Sequence, residues 1–298
     1  MQHTAKDILG VKVDFGLTTS DVMSIIKDNY LTDGGSHYIC TTNPEFVMAA
    51  QKDTLFRDVI NAADLSVPDG NGVLFAGTYL DILSHIPKNM CFCPNAFFAG
   101  VKLGVMSLFT DVPIGSVVSG VELTDKICEL SNDTGASIFL LGGWPRDARG
   151  KPVATPNYDF ASLAAAKLKE KYPNINIIGA TSQFLPTKEY DRKTLTFIKK
   201  CMDKKSIQTL DFVIVAYTQG AQDRWIARNI KNIPARVGIG VGSTFDYITG
   251  LYASAPDNYK HKRLEWLFRL FTYPWRWRRV LTAFPLFPLK VFFHAVKY

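Results

Sequence analysis

HYICTTNPEFVMAAQKD, residues 37–53, decides the fold class. Its first six residues, 37–42, form an apolar, β-branched run short enough for a buried strand. A helix-like PEFVMAAQKD follows directly, and Pro44 suits a first helical turn, where its missing N–H costs nothing. Strand, tight turn and helix in so little chain is the half-unit of an α/β fold.

The same alternation continues outward. ADLSVPDG (63–70) reads as a short strand ending in a loop. ASIFLLGG (136–143), INIIGA (175–180), DFVIVAY (211–217) and ARVGIGVG (235–242) read as further strands. Helix-like stretches at 159–171, 187–202 and 221–230 separate them. The expectation is a mainly parallel, Rossmann-like sheet with helices on both faces. Ligands of such sheets collect beyond the carboxyl ends of the strands. The unusual loops fall there: TTN, PDGNG, LGGWPRD, YTQGAQD and GVGSTFD. Between 86 and 114 the pattern turns irregular around CFCPNAFFAGVKLG. That segment reads as an insertion, packed as a small subdomain or dipping into a membrane as a hairpin.

The chain has 298 residues, 47% hydrophobic and 20% charged, with a net charge of +7. That describes a globular protein with a full core rather than a disordered one. The charge is uneven. Residues 258–298 carry nine Lys/Arg against Glu265 alone, so the preceding body is close to neutral. A core at 1–257 and a basic, aromatic helical appendage at 258–298 are the expected units. Five cysteines without a C-x-x-C pair argue against a disulfide framework or a structural zinc site. The five histidines show no metal spacing. The N-terminal MQHTAKDILGVKVDFG lacks the apolar core of a secretion signal. The run VLTAFPLFPL (280–289) is too short to span a bilayer and holds two prolines. A cytoplasmic protein that touches a membrane is the expectation.

Three loops offer chemistry. In VPDGNG, Asp69 sits just past a strand beside glycines that admit a ligand to the backbone, and a tuned carboxylate there suits a general base. The competing reading is an ordinary Asp-Gly turn. TTN places Thr41 and Asn43 at the same sheet edge. Gly142 and Gly143, and the Gly240–Gly242–Ser243 turn before Asp246, suit either a diphosphate cradled by backbone N–H groups or plain strand-to-helix turns. Neither is a dinucleotide fingerprint or a Walker loop. No D-x-D motif supplies metal ligands, and no G-x-S-x-G supports a hydrolase.

The tail RLEWLFRLFTYPWRWRR (263–279) interleaves arginines with aromatics. Leu264, Leu267, Phe268 and Phe271 form a helical apolar stripe, leaving Arg263 and Arg269 off it. Trp and Tyr favour a membrane interface, and anionic headgroups attract nearby Lys and Arg. Stacking on single-stranded nucleic acid is the rival reading. The near-neutral body and the adjoining apolar run favour a membrane foot over nucleic acid.

TTNPEFVMAA, ADLSVPDGNGV, SGVEL, IFLLGG, KYPNINIIGA, AQDRWI, GVGSTFDYITG, SAPDNY and the tail stretch occur in order across 38–279. In that order they resemble the WecG/TagA/CpsF glycosyltransferases. The resemblance implies inverting transfer from a UDP-sugar, an N-acetylmannosamine-like one, to a polyprenyl-diphosphate-linked sugar in surface-polymer synthesis. It implies no metal and no cofactor beyond the UDP-sugar substrate, at the inner face of the cell membrane. Asp69 falls on the family's base, and Thr41 and Asn43 on its donor-flanking T-x-N pair. Gln222 and Asp223 fall on its Q-E, and Asp246 on a nucleoside-holding aspartate. The appendage would close over the site and bring Arg269, Arg276, Arg278 and Arg279 to diphosphates. Family members often assemble as oligomers, so a homo-oligomer is expected too. Departures stand beside these matches. The family's P-K reads Gly220-Ala221, an expected arginine reads Val117, R-A-P reads Ser254-Ala255-Pro256, and G-Y reads Ser182-Gln183. They leave open a catalytically impaired nucleotide-sugar or nucleic-acid binding protein of the same fold.

Overall fold

The computed structural model describes residues 3–106, 116–143, 159–253, 265–273 and 277–297. Chain order begins with β1 (Thr4–Ile8), β2 (Val11–Phe15) and α1 (Thr19–Ile25), then β3 (His37–Thr42), α2 (Pro44–Ala50) and α3 (Thr54–Asn61). It continues with β4 (Leu65–Pro68), α4 (Asn71–Ser84), α5 (Phe92–Met106) and α6 (Gly120–Thr134). The second half adds β5 (Ile138–Gly142), α7 (Phe160–Lys171), β6 (Ile177–Thr181), α8 (Lys188–Lys204), β7 (Leu210–Ala216), α9 (Ala221–Asn229) and β8 (Ala235–Gly240). The last helices are α10 (Thr244–Ile248), α11 (Glu265–Thr272), α12 (Trp277–Leu281) and α13 (Phe287–Ala295).

Among the described residues, six strands form one sheet in the order β4-β3-β8-β7-β5-β6, every neighbour parallel. Side chains alternate between two hydrophobic clusters, as a period of two requires. Tyr38, Cys40, Phe139, Leu141, Val213 and Val215 face one cluster, with α2, α3, α4, α8 and α9. Ile39, Leu140, Ile214 and Ile239 face the other, with α1, α6, α7 and α10. Both faces are covered, so the strands read as continuous apolar runs.

β8 breaks that pattern for a reason. On the α9 side it shows Gly238 and Gly240 instead of branched residues. A Cβ on Gly238 would stand 2.7 Å from Ile226 Cγ2, so α9 presses directly against the strand backbone. Strand direction then places the site. β5 leads outward to β6 while β7 leads the other way to β8, so their following loops diverge at the carboxyl edge.

The N-terminal hairpin β1–β2 is absent from the sequence reading. Leu9 and Gly10, both at positive φ, make its two-residue turn. The buried carboxylate of Asp14 accepts a hydrogen bond from the Ser66 N–H at 2.8 Å, which ties the hairpin to β4.

The segment read as an insertion contains α5, which lies on α4 through Phe92, Ala96 and Leu103. Its opposite stripe is exposed, which differs from a subdomain buried throughout. The appendage docks at its far end. Phe287 and Val291 of α13 are buried in the core cluster beside α4 and α2. Phe271, placed above on the helical apolar stripe, is 74% exposed. Leu264 lies outside the described residues, as does the Leu267 side chain. Among the described residues, no helix is long and apolar enough to cross a membrane.

Candidate active site at the carboxyl edge of the sheet

Two loops are joined where β3 and β4 end. The Asp69 N–H donates to the Thr42 carbonyl at 2.8 Å, and the Val118 N–H donates to the Pro68 carbonyl at 2.9 Å. Gly70 takes φ of +107°, open to glycine and strained for other residues, and starts α4 without a side-chain cap. Two residues on, a Cβ at Gly72 would stand 2.7 Å from Pro44 Cγ. The Asp69 loop and the head of α2 are therefore in contact, with the half-buried Asp69 at their junction.

The polar residues of β3 are largely engaged within the fold. Thr41 Oγ1 donates to the Gly240 carbonyl at 3.0 Å, and Thr42 Oγ1 shares a 2.7 Å hydrogen bond with Ser66 Oγ. Asn43 caps α2, its Oδ1 accepting from the Phe46 N–H at 3.1 Å. Thr41 is buried and braces β3 against β8, while Asn43 is half-buried at the edge.

Gln222 and Asp223 open α9 and are both 1% exposed. The Gly242 N–H donates to Gln222 Oε1 at 2.9 Å. Beneath them, Cys40 Sγ donates to Asp223 Oδ1 at 3.7 Å, and Oδ2 has no hydrogen-bond partner among the described residues. Burial pushes the Asp223 carboxyl up to about 6, against the Gly220, Asp223 and Gln222 groups that favour its charged form. The same burial, with Asp223 beside it, pushes the Cys40 thiol upward. A Cβ on Gly240 would lie 2.7 Å from Gln222 Nε2 and 2.8 Å from Asp223 Oδ1. Gly240 is thus what lets these two side chains sit over β8. Asp223 can reach a ligand only through its neighbours.

Gly142 and Gly143 have φ of +88° and +78°. A Cβ at Gly142 would meet the Tyr217 ring at 2.8 Å, and one at Gly143 the Phe245 ring at 2.8 Å. Both glycines thus let Tyr217 and Phe245 pack against this turn. Asp246, in the first turn of α10, is 3% exposed. Ser182 bridges the next loop. It donates to the Gly142 carbonyl at 2.7 Å and accepts from the Ala161 N–H at 2.8 Å.

The appendage reaches the same corner. Arg279 Nε donates to Glu45 Oε2 at 2.7 Å, two residues past Asn43. Arg278 lies over the Trp277 ring, 5.3 Å from its centroid. Arg276 and the side chain of Arg269 lie outside the described residues.

The model of the glycosyl transferase WecG/TagA/CpsF family matches residues 6–92 and 96–298. The chain belongs to that family. It is a glycosyltransferase. Similar relatives carry the name N-acetylglucosaminyldiphosphoundecaprenol N-acetyl-beta-D-mannosaminyltransferase. One, from Bacillus subtilis (strain 168), is 26% identical over 89% of this chain and 83% of its own length. Another, from Staphylococcus aureus (strain MRSA252), is 24% identical over 97% of this chain and 93% of its own length.

Two departures from the family pattern acquire a physical account. Gly220 caps the start of α9 at φ of +76°, a conformation that a proline, fixed near −65°, cannot adopt. Val117 is half-buried against the core cluster, where an arginine's charge would be desolvated. The sequence reading missed Cys40 and Glu45 as parts of this edge; it placed Gly240 in the turn before Asp246 but not its closeness to Gln222 and Asp223. The G-x-G spacing of β8 was the available signal, since alternate glycines mark one strand face as a site of close approach.

Proposed function

We propose that this glycosyltransferase moves an N-acetylmannosamine-like sugar, with inversion, from a UDP donor to a polyprenyl-diphosphate-linked sugar. The acceptor follows the relatives' printed name, which specifies an N-acetylglucosaminyl-diphospho-undecaprenol. The observation that carries the reading is Asp69 held at the open edge between the β3 and β4 loops by the Asp69–Thr42 backbone hydrogen bond.

In the reaction, Asp69 takes the proton of the acceptor hydroxyl as its oxygen attacks the anomeric carbon. The bond to the UDP oxygen breaks on the opposite face, so the configuration inverts and UDP leaves as the diphosphate anion. Asn43, the Gly142–Gly143 turn, Gln222, Gly242 and Asp246 hold the donor, Gln222 by fixing the Gly242 turn and Asp223 by supporting Gln222 from below. Arg269, Arg276, Arg278 and Arg279 meet the diphosphates. No resident metal or cofactor takes part. The enzyme works at the inner face of the cell membrane, with the appendage against the lipid and a homo-oligomer as its assembly.

UDP release from a panel of UDP-sugars, with and without a short-chain polyprenyl-diphosphate sugar, tests this. Release needs both substrates and disappears in Asp69→Asn. A folded, UDP-binding protein silent across the panel would instead support the catalytically impaired reading.

A further inference from the structure

α5 is apolar on two opposite stripes; one is packed on α4, while the other is left largely exposed apart from Phe97. The inner stripe packs on α4. Tyr79 OH donates to the Ala96 carbonyl at 3.1 Å, and a Cβ on Gly100 would meet the Tyr79 ring at 3.3 Å. The outer stripe holds Phe97, Phe98, Val101 and Val105, with Phe98 67% and Val105 54% exposed. A helix that is apolar all round belongs in a core or against lipid, and a bare patch of large side chains marks a contact surface.

This surface does not end with α5. Phe97 meets Phe292 of α13 edge to face, with centroids 6.1 Å apart, and Phe292 stacks likewise on Phe293. Leu289 and Phe293 of α13 are themselves 45% and 55% exposed. Two segments far apart in sequence thus make one continuous apolar face.

Charge selects the occupant. Neither 87–106 nor 277–297 contains an Asp or Glu, while they hold Lys88, Lys102, Arg278, Arg279, Lys290 and Lys297. A second copy using the same face would bring cations against cations. An anionic lipid surface complements both the apolar residues and the charge. At 15 residues α5 is about 22 Å long, short of a hydrocarbon core of about 30 Å, so it lies along the interface and does not cross it.

We propose that the outer stripe of α5 and the exposed side of α13 together form the membrane-contacting face, with α5 inserting its phenylalanines beside the appendage. This rests on the lipid-linked acceptor proposed above and extends membrane contact from the tail to a helix of the core. It also orients the enzyme. α13 is packed beside the head of α2, so the face that meets lipid adjoins the loop carrying Asp69.

The test is flotation with phosphatidylglycerol–phosphatidylcholine vesicles against phosphatidylcholine alone. It compares wild type, Phe98→Glu/Val105→Glu and Leu289→Glu/Phe293→Glu, with melting temperatures and light-scattering masses as controls. The expected result is at least tenfold stronger partitioning of wild type onto the anionic vesicles. Each double variant loses about tenfold or more at unchanged mass and melting temperature. The α5 variant keeps transfer to a water-soluble short-chain acceptor and loses transfer to a long-chain acceptor in vesicles. If the α5 variant floats like wild type while the α13 variant does not, the α5 proposal is wrong and tail-only contact stands. Wild type that transfers sugar yet never floats would sink membrane contact altogether. A changed mass with unchanged flotation in the α5 variant would make the stripe a protein interface.

Discussion

The Gln222 side-chain carbonyl accepts the Gly242 N–H at 2.9 Å, so the turn after β7 and the turn after β8 move as one piece. Gln222 is 1% exposed, and a severed bond would leave the partly buried Gly242 N–H without this acceptor. Gln222→Leu is expected to cost about 1–3 kcal/mol of stability. It should also lower transfer by about tenfold or more, through a weaker hold on the donor. Chemical denaturation and steady-state kinetics in parallel check this; wild-type kinetics with lowered stability would confine Gln222 to folding.

Asp223 predicts a pH signature. Its folded pKa, about 6, lies above the usual carboxylate value of 3.8, so the native state binds the proton more tightly than the unfolded chain. The associated stability is fully present below pH 4 and is lost as pH rises through 6. Its size is about 2–3 kcal/mol for a shift near two units. Asp223→Asn should flatten the wild-type decline between pH 4 and 6.5. Melting curves across that window decide the point, and equal slopes in both proteins would contradict the buried, titrating carboxylate.

Gly240→Ala places a Cβ 2.7–2.8 Å from the Gln222 and Asp223 side chains, and both are buried, with little room to retreat. Overpacking of this kind costs about 1–3 kcal/mol. A companion Gly135→Ala acts through a positive φ alone, because nothing lies within 4 Å of its added Cβ. Comparing the two separates crowding at the site from backbone strain. Only Gly240→Ala should alter kinetics.

Arg279 and Glu45 form a partly exposed ion pair, the arginine side chain being 41% exposed. A double-mutant cycle with Arg279→Gln and Glu45→Gln should give a coupling below about 1 kcal/mol in stability. The functional effects should diverge. Arg279→Gln weakens use of the diphosphate acceptor, raising its KM, while Glu45→Gln frees the guanidinium and leaves KM the same or lower. Equal KM effects from the two variants would restrict Arg279 to fixing the appendage.

The sheet was legible because buried parallel strands are apolar on both faces and leave no helical periodicity. HYICTT reads as β3 with its bounds unchanged, and 235–242 contains β8. Gly-rich and Asx turns then marked the carboxyl edge and put Asp69 and Asn43 there. What stayed hidden depends on contacts between distant segments. VKVDF in β2 is a plain alternating strand, but its partner and the burial of Asp14 under Ser66 emerge only in three dimensions. The outer stripe of α5 stayed hidden for the opposite reason, since composition cannot tell an apolar side chain covered by protein from one left bare. Asp223 was named only through the family's Q-E pair, and its burial over Gly240 emerges only from the packing of α9 on β8.

Phe287 of α13 approaches to 3.9 Å of a Cβ built on Gly72, the glycine that also rests against Pro44. The far end of the chain is consequently a plug in the wall behind the Asp69 loop. Cutting the chain ahead of residue 258 would pull that plug, and any loss of lipid binding would be inseparable from a collapsing pocket. On the proposed reading, the same short stretch serves both folding and membrane contact. A substitution that loosens one will show up as a defect in the other.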